Sequence, residues 1–271
     1  MKKIFALLLF AFALQSSAQI NFIKEDWDQA IKLSKETNKP LFIDFYTDWC
    51  GWCKVMDKKT FSNDSVAAYI NEHFVALKID AETGVGTKLA MKYRIGSFPT
   101  VGVFNEEGQL FDKLLGYREA GKFMKEMKEQ KQRIDDGYFI QGVSTELNME
   151  YPDFYVKSFK DKSTKGKKAW PKDSVVQTYL QGADLMDEVV FSVLTKFGGN
   201  EESYSNAIAM QDQLTDHFGR ADVQRLMGRI IHADYVKIEK EGSYEDLQAW
   251  MPKVEMIMRE QSKLYKNHYE L

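Results

Sequence analysis

The sequence predicts an α/β domain containing a parallel unit, followed by an all-α region of antiparallel helices. Three observations carry this. From about residue 20 to 128, short β-branched or aromatic runs alternate with helical patterns. From about residue 129 onward the strands fade, and apolar residues recur every three or four positions. Glycines punctuate these apolar stripes at similar lengths, as expected for antiparallel helical hairpins.

In the first region "PLFIDFY" reads as a strand, "FVALKID" as a second and "TVGVFN" as a third. "GQLFDKLLG" follows the turn signal Asn105-Glu-Glu-Gly108. Helical stretches fall over 26–37, 50–59, 65–72 and 87–93, and another begins at Gly121. In the second region Val176, Leu180, Ala183, Met186, Val190, Val193 and Phe197 make one apolar stripe on a helix, stopped by Gly198-Gly199. Ala207, Met210 and Leu214 form the next, ending near Gly219. Val223, Met227 and Ile230 form a third, ended by Gly242. Leu247, Trp250, Val254, Met258 and Leu264 form the last, after a cap at Ser243. These stripes read as core. The stretch "KSFKDKSTKGKKAWPKD" between the halves reads as a solvated loop.

The N-terminus has the grammar of a secretory signal: Lys2 and Lys3, an apolar run from Ile4 to Leu14, then Ser16-Ser17-Ala18. The run is too short to span a bilayer as a helix. The expected division is a signal peptide over 1–18, a first domain over 19–128 and a helical domain over 129–271. Cleavage after Ala18 leaves Gln19 first. The product is expected to be exported and soluble, in the periplasm or outside the cell, with no membrane span. A formal net charge of −3 points to neither nucleic acid nor an anionic membrane as partner.

Both cysteines of the 271-residue chain lie in "DFYTDWCGWCKVM", residues 44–56. Two thiols are not a disulfide framework. A structural bridge across Cys50 and Cys53 closes a loop of about four residues, worth roughly 2 kcal/mol, so stability explains the spacing poorly. Structural zinc takes four ligands, but no other cysteine exists, and His73, His217, His232 and His268 are scattered. Redox chemistry fits better. A strand ends near Tyr46 and a helix begins near Cys50, where the helix dipole and free N–H groups favour a thiolate. Cys53 lies one turn on and is expected to be less exposed. Cys50 can attack a substrate disulfide, and Cys53 can resolve the mixed disulfide. Asp44 stands among apolar neighbours in "LFIDFY", either as a buried base of raised pKa for Cys53 or, on an edge strand, as a carboxylate facing water. Lys78 in "ALKID" is a charge partner across adjacent strands, or an ordinary exposed lysine. Phe98-Pro99 precedes a strand, and an X-Pro sequence alone does not establish a cis bond.

Taken together, "DFYTDWCGWCK", "LKID", "YRIGSFPTVGVF" and "GQLFDKLLGY" resemble the thioredoxin family over about residues 25–128. "KTFSNDSVAAYINEHF" is similar to a branch of exported thioredoxin-like domains, among them electron-transferring domains of bacterial envelope reductases. The resemblance implies a thioredoxin fold, a central mixed sheet flanked by helices, ahead of the all-α region. It implies Cys50 as nucleophile, Cys53 as resolving thiol, Asp44 as the buried carboxylate and Lys78 as its neighbour. Pro99 matches the cis-proline, Phe98 would offer its backbone to an extended substrate, and Trp49 matches a flat apolar wall beside the sulfur. Trp52 departs from the family's proline at this place, and its ring is expected to stay partly exposed as a client contact. The implied activity is exported thiol-disulfide exchange with protein substrates, as reductase or isomerase rather than strong oxidant. Its redox group is the Cys50–Cys53 pair, with no further cofactor and with an external redox partner protein. The alternative is a binding module, whether its two thiols hold Cu(I) or its helical half binds a partner.

Overall fold

A computed structural model of the protein describes residues 19–160 and 170–269. The expected signal peptide, residues 1–18, lies outside the described residues. Among the described residues, five strands make one sheet: β1 (Phe22–Lys24), β2 (Leu41–Tyr46), β3 (Val75–Asp80), β4 (Thr100–Phe104) and β5 (Leu110–Leu115), in the order β1-β3-β2-β4-β5. The central strand β2 runs parallel to β3 and antiparallel to β4, so the sheet is mixed. Leu41 to Phe45 are all buried. Both faces of this strand are covered, and that is why "LFIDFY" shows no apolar–polar alternation. The edge strand β1 has three residues and pairs parallel to β3; it is too short to show a period of two, and the sequence reading did not find it.

The helices of the first half are α1 (Trp27–Thr37), α2 (Gly51–Met56) with a π-helical turn over Asp57–Phe61, α3 (Asp64–His73), α4 (Gly84–Lys92) and α5 (Ala120–Asp135). Their ends follow local chemistry. Asp26 accepts from the Gln29 N–H at the start of α1, and Asn63 from Ser65 and Val66 at the start of α3. Helix α5 runs through the expected boundary at residue 128.

The second half contains α6 (Asp153–Lys160), α7 (Asp173–Leu180), α8 (Glu188–Phe197), α9 (Glu201–Ala209), α10 (Gln211–Phe218), α11 (Arg220–Glu241) and α12 (Tyr244–Tyr269). Two expectations change here. The stripe from Val176 to Phe197 is two helices, α7 and α8, not one. Gly182 turns the chain at φ 65, and Asp187 starts α8 by accepting from the Val189 and Val190 N–H groups. The spacing survives the break because Leu185, in the turn, is buried in the same core. Likewise Met210 separates α9 from α10. The lysine-rich stretch begins as helix, since residues 157–160 belong to α6; residues 161–169 lie outside the described residues. Ser243 and Asp246 cap α12 reciprocally, as the sequence suggested.

One core cluster holds Phe45, Leu77 and Ile79 of the sheet together with Phe191, Leu194, Val223 and Leu226 of the helices. The other face of the sheet is a separate cluster around Phe42, Phe61, Ile70 and Phe123. Helix α11 joins the halves, packing on β5 as well as on α8, α10 and α12. Buried charges reinforce the joint. Lys92 Nζ lies 2.8 Å from Glu188 of α8. Asp222 of α11 takes Arg94 Nε at 2.6 Å and Lys113 Nζ at 2.5 Å. Burial alone would raise the Asp222 carboxyl, but Lys113, Arg94 and Arg225 around it reverse this and hold it at about 2. Burial, with repulsion from Arg94 and Arg225, lowers the Lys113 ammonium against the pull of Asp222. The cluster is thus rich in cations.

Candidate active site

The chain leaves β2 at Tyr46, turns, and enters α2 at Gly51. Cys50 is the N-cap: its sulfur accepts the Cys53 N–H at 3.0 Å, and its own N–H is taken by the Thr47 carbonyl at 3.1 Å. Cys50 and Cys53 are joined as a disulfide, with Cα atoms 5.3 Å apart. The two are equally buried, each 4% exposed, so Cys53 is not the more hidden of the pair. The bond draws the first sulfur back over the opening turn of the helix.

Asp44 is 1% exposed. Its register sets it opposite Lys78 on β3 and Val101 on β4. Lys78 Nζ lies 2.6 Å from its Oδ2, while Oδ1 has no hydrogen-bond partner. Burial raises this carboxyl, Lys78 pulls it part of the way back, and it stands at about 6. For Lys78, burial lowers the ammonium, but Asp44 and Asp57 outweigh it and the net shift is upward. Asp57 was missed by the sequence reading. The π-helical turn carries it to 2.6 Å from Lys78 Nζ. No spacing rule signals that contact, because it depends on a helix passing over a neighbouring strand.

The Phe98–Pro99 bond is cis. The Pro99 carbonyl accepts from the Gly116 N–H at 2.9 Å, and Thr100 Oγ1 donates to the Ser97 carbonyl at 2.8 Å. The two tryptophans flanking the cysteines are exposed, Trp49 by 66% and Trp52 by 61%. Trp49 stands edge-on to Phe98 at 5.8 Å and donates Nε1–H to Glu82 at 3.0 Å. Trp52 leans on Tyr117 at 5.4 Å. Trp49 and Phe98 also form one wall of a cleft of about 690 Å³ between the halves, whose other walls include Tyr155, Trp170, Arg225 and Arg229. These last four escaped the sequence reading, since nothing local marks a residue that reaches the site from a distant part of the chain.

Among the described residues, no group of three or more His, Cys, Asp or Glu is placed to hold a metal ion. No described helix is long and apolar enough to cross a membrane.

A family model described as a thioredoxin-like domain matches residues 27–131. The chain is 30% identical over 128 residues to the thiol:disulfide interchange protein DsbD of Vibrio vulnificus, covering 44% of this chain and 21% of that protein. It is 32% identical over 93 residues to a protein disulfide-isomerase of Zea mays, covering 33% of this chain and 18% of that protein. The chain thus spans about a fifth of the length of the curated relatives it matches. Among solved structures, a putative disulphide-isomerase from Bacteroides thetaiotaomicron is 36% identical with TM-score 0.38, covering 42% of this chain and 94% of that one. A thioredoxin from Thermus thermophilus is 21% identical with TM-score 0.39, covering 44% and 91%. With its mixed sheet, its Cys-Gly-Trp-Cys disulfide and this family match, the segment 27–131 belongs to the thioredoxin family, and a helical region follows it.

Proposed function

We propose that the protein is an exported thiol-disulfide oxidoreductase acting on protein disulfides, in the reducing or isomerising direction. The observation that carries this reading is the Cys50–Cys53 disulfide itself, one turn long at a helix start. It closes too little chain to act as a staple, and its first sulfur already accepts a backbone N–H that would also stabilise a thiolate. The family of the segment and the names of its relatives, a thiol:disulfide interchange protein and a protein disulfide-isomerase, support the same chemistry.

In the reducing direction the Cys50 thiolate attacks one sulfur of a client disulfide. A Cys50–client bond forms, and the other client sulfur leaves as a thiolate. The Cys53 thiolate then attacks the Cys50 sulfur, releasing the second client thiolate and restoring the Cys50–Cys53 bond. The client gains two electrons, and its thiolates take protons from solvent. Asp44 serves as the base for the Cys53 proton: at about 6 it is largely ionised at neutral pH, and its Oδ1 is open to a proton. Lys78 steadies its charge as a positioning residue. No second cysteine pair exists in the chain, so a dithiol donor must reduce Cys50–Cys53 after each turnover. Export rests on residues 1–18 of the sequence; N-terminal sequencing of the secreted chain should begin at Gln19.

The test is insulin reduction with dithiothreitol as donor. Cys50→Ser should abolish turnover, and reduced Cys53→Ser, mixed with insulin after the donor is removed, should hold a covalent client adduct that added reductant releases. Undiminished turnover by Cys50→Ser would overturn the reading.

A further inference from the structure

We propose that the cleft between the two halves seats an acidic peptide segment flanking the disulfide of a client protein, with Arg225 and Arg229 as its carboxylate contacts. This deepens the oxidoreductase reading and rests on it. The cleft opens beside the redox pair, because Trp49 immediately precedes Cys50, Phe98 immediately precedes cis-Pro99, and both line it. Its volume of about 690 Å³ falls in the range of sites that enclose a ligand.

The charge of the cleft selects the ligand. Arg94, Arg225 and Arg229 all line it. Asp222 lies behind, shared between Arg94, Lys113 and, at 4.0 Å, Arg225. Glu188 also acts on Arg94 but is paired with Lys92, so Arg225 and Arg229 leave positive charge in excess at the cleft. Glu82 is the acidic group on the wall, and it accepts from Trp49 at the rim. Arg229 has no carboxylate partner among the described residues, and burial weakens its hold on its proton.

The two outer guanidinium groups are within reach of a ligand, since Arg225 and Arg229 both line the cleft and are partly exposed, Arg225 by 24%. Arg225 already spends Nη1 on the Arg94 carbonyl at 2.7 Å, which fixes the guanidinium plane. A carboxylate is the acceptor that a guanidinium fork fits best. The aromatic faces of Trp49, Phe98 and Trp170 supply apolar contact for the segment's backbone and neighbouring side chains.

The experiment uses the full chain and peptide disulfides matched in length, with the cysteine flanked by Glu, Gln or Lys pairs. Wild type should reduce the Glu peptide with kcat/KM about tenfold above the Gln peptide at low salt, an advantage that fades as salt rises. Arg229→Gln, which breaks no ion pair seen here, should shrink this ratio, and Arg225→Gln/Arg229→Gln should bring it to about one. Arg229→Glu should shift the preference toward Lys. Equal rates for the Glu and Gln peptides in wild type, or a preference that survives the double substitution, would overturn the proposal. Tighter seating of oxidised glutathione than of the Glu peptide would assign the cleft to a small disulfide and also overturn it. Binding of the Glu peptide with its cysteine replaced by serine, read by tryptophan fluorescence, separates the two readings. Saturable binding lost in the double variant supports the cleft even if no peptide is reduced, and that outcome would sink the oxidoreductase reading instead.

Discussion

Replacing Asp44 by Asn should change how stability depends on pH, in a direction and size that the structure sets. The Asp44 carboxyl stands at about 6 against an ordinary 3.8, chiefly through burial. A raised value means that the folded protein holds this proton more tightly than the unfolded chain does. The stabilisation is therefore complete below 3.8 and is lost as pH rises through about 6. At about 1.4 kcal/mol per pKa unit, the loss is about 3 kcal/mol. Asn has no proton to lose, and all other carboxylates are common to both proteins, so they cancel in the difference. Lys78, raised above its ordinary range, titrates outside this window. Urea unfolding of the disulfide-intact proteins, followed by tryptophan fluorescence from about pH 4 to about pH 8, measures the difference. It should move by about 2.5 kcal/mol in favour of Asp44→Asn over that interval, the rest of the loss falling below pH 4, and then level off. A difference that stays constant, or that moves toward wild type as pH rises, would refute the claim that burial holds Asp44 in its protonatable form. The same variant should slow client reduction at neutral pH, because the Cys53 proton loses its acceptor.

Three further outcomes are expected. Asp222→Asn strands Lys113 and Arg94 in the core without their shared carboxylate, and should cost roughly 3–5 kcal/mol in urea unfolding; a loss under about 1 kcal/mol would show that this joint does not hold the halves together. In Gly86→Ala the new Cβ would meet the Asp80 carbonyl oxygen, with Ile79 Cγ1 at 3.2 Å, so thermal unfolding should show a loss of roughly 1–3 kcal/mol, while Gly121→Ala, with open space around it, should be neutral or slightly stabilising. Trp52→Ala removes a ring that is 61% exposed and should change stability by less than about 1 kcal/mol; a raised KM for insulin with kcat little changed would mark it as a client contact.

Much of the site could be read locally. The cysteine pair sits between a strand and a helix start, and both elements are written in adjacent residues. Asp44 stood out because a carboxylate in an apolar run is costly unless it has a task or a partner. Lys78 could be named but not decided, since "VALKID" places its lysine on one face without saying what covers that face. Asp57 was unreadable, because its meeting with Lys78 depends on the path of α2 across the sheet. The stripe over 176–197 misled for a related reason: periodicity reports which residues face the core, and a turn whose residues also face the core continues the pattern.

The sequence by itself determined the elements that local chemistry specifies: the buried strands, the capped helix starts, the two sulfurs one turn apart and the family they resemble. Only the tertiary structure decided that the helical half shares the core of the sheet, and that Asp222, more than a hundred residues from Lys113 and Arg94, pairs with both. It alone set Arg225 and Arg229 beside Trp49 and Phe98 in one cleft. The physical reason is range. Propensity, capping and periodicity act over a few residues of chain, whereas a buried charge or a cleft wall is defined by what packs against it, and packing joins residues irrespective of their distance in sequence.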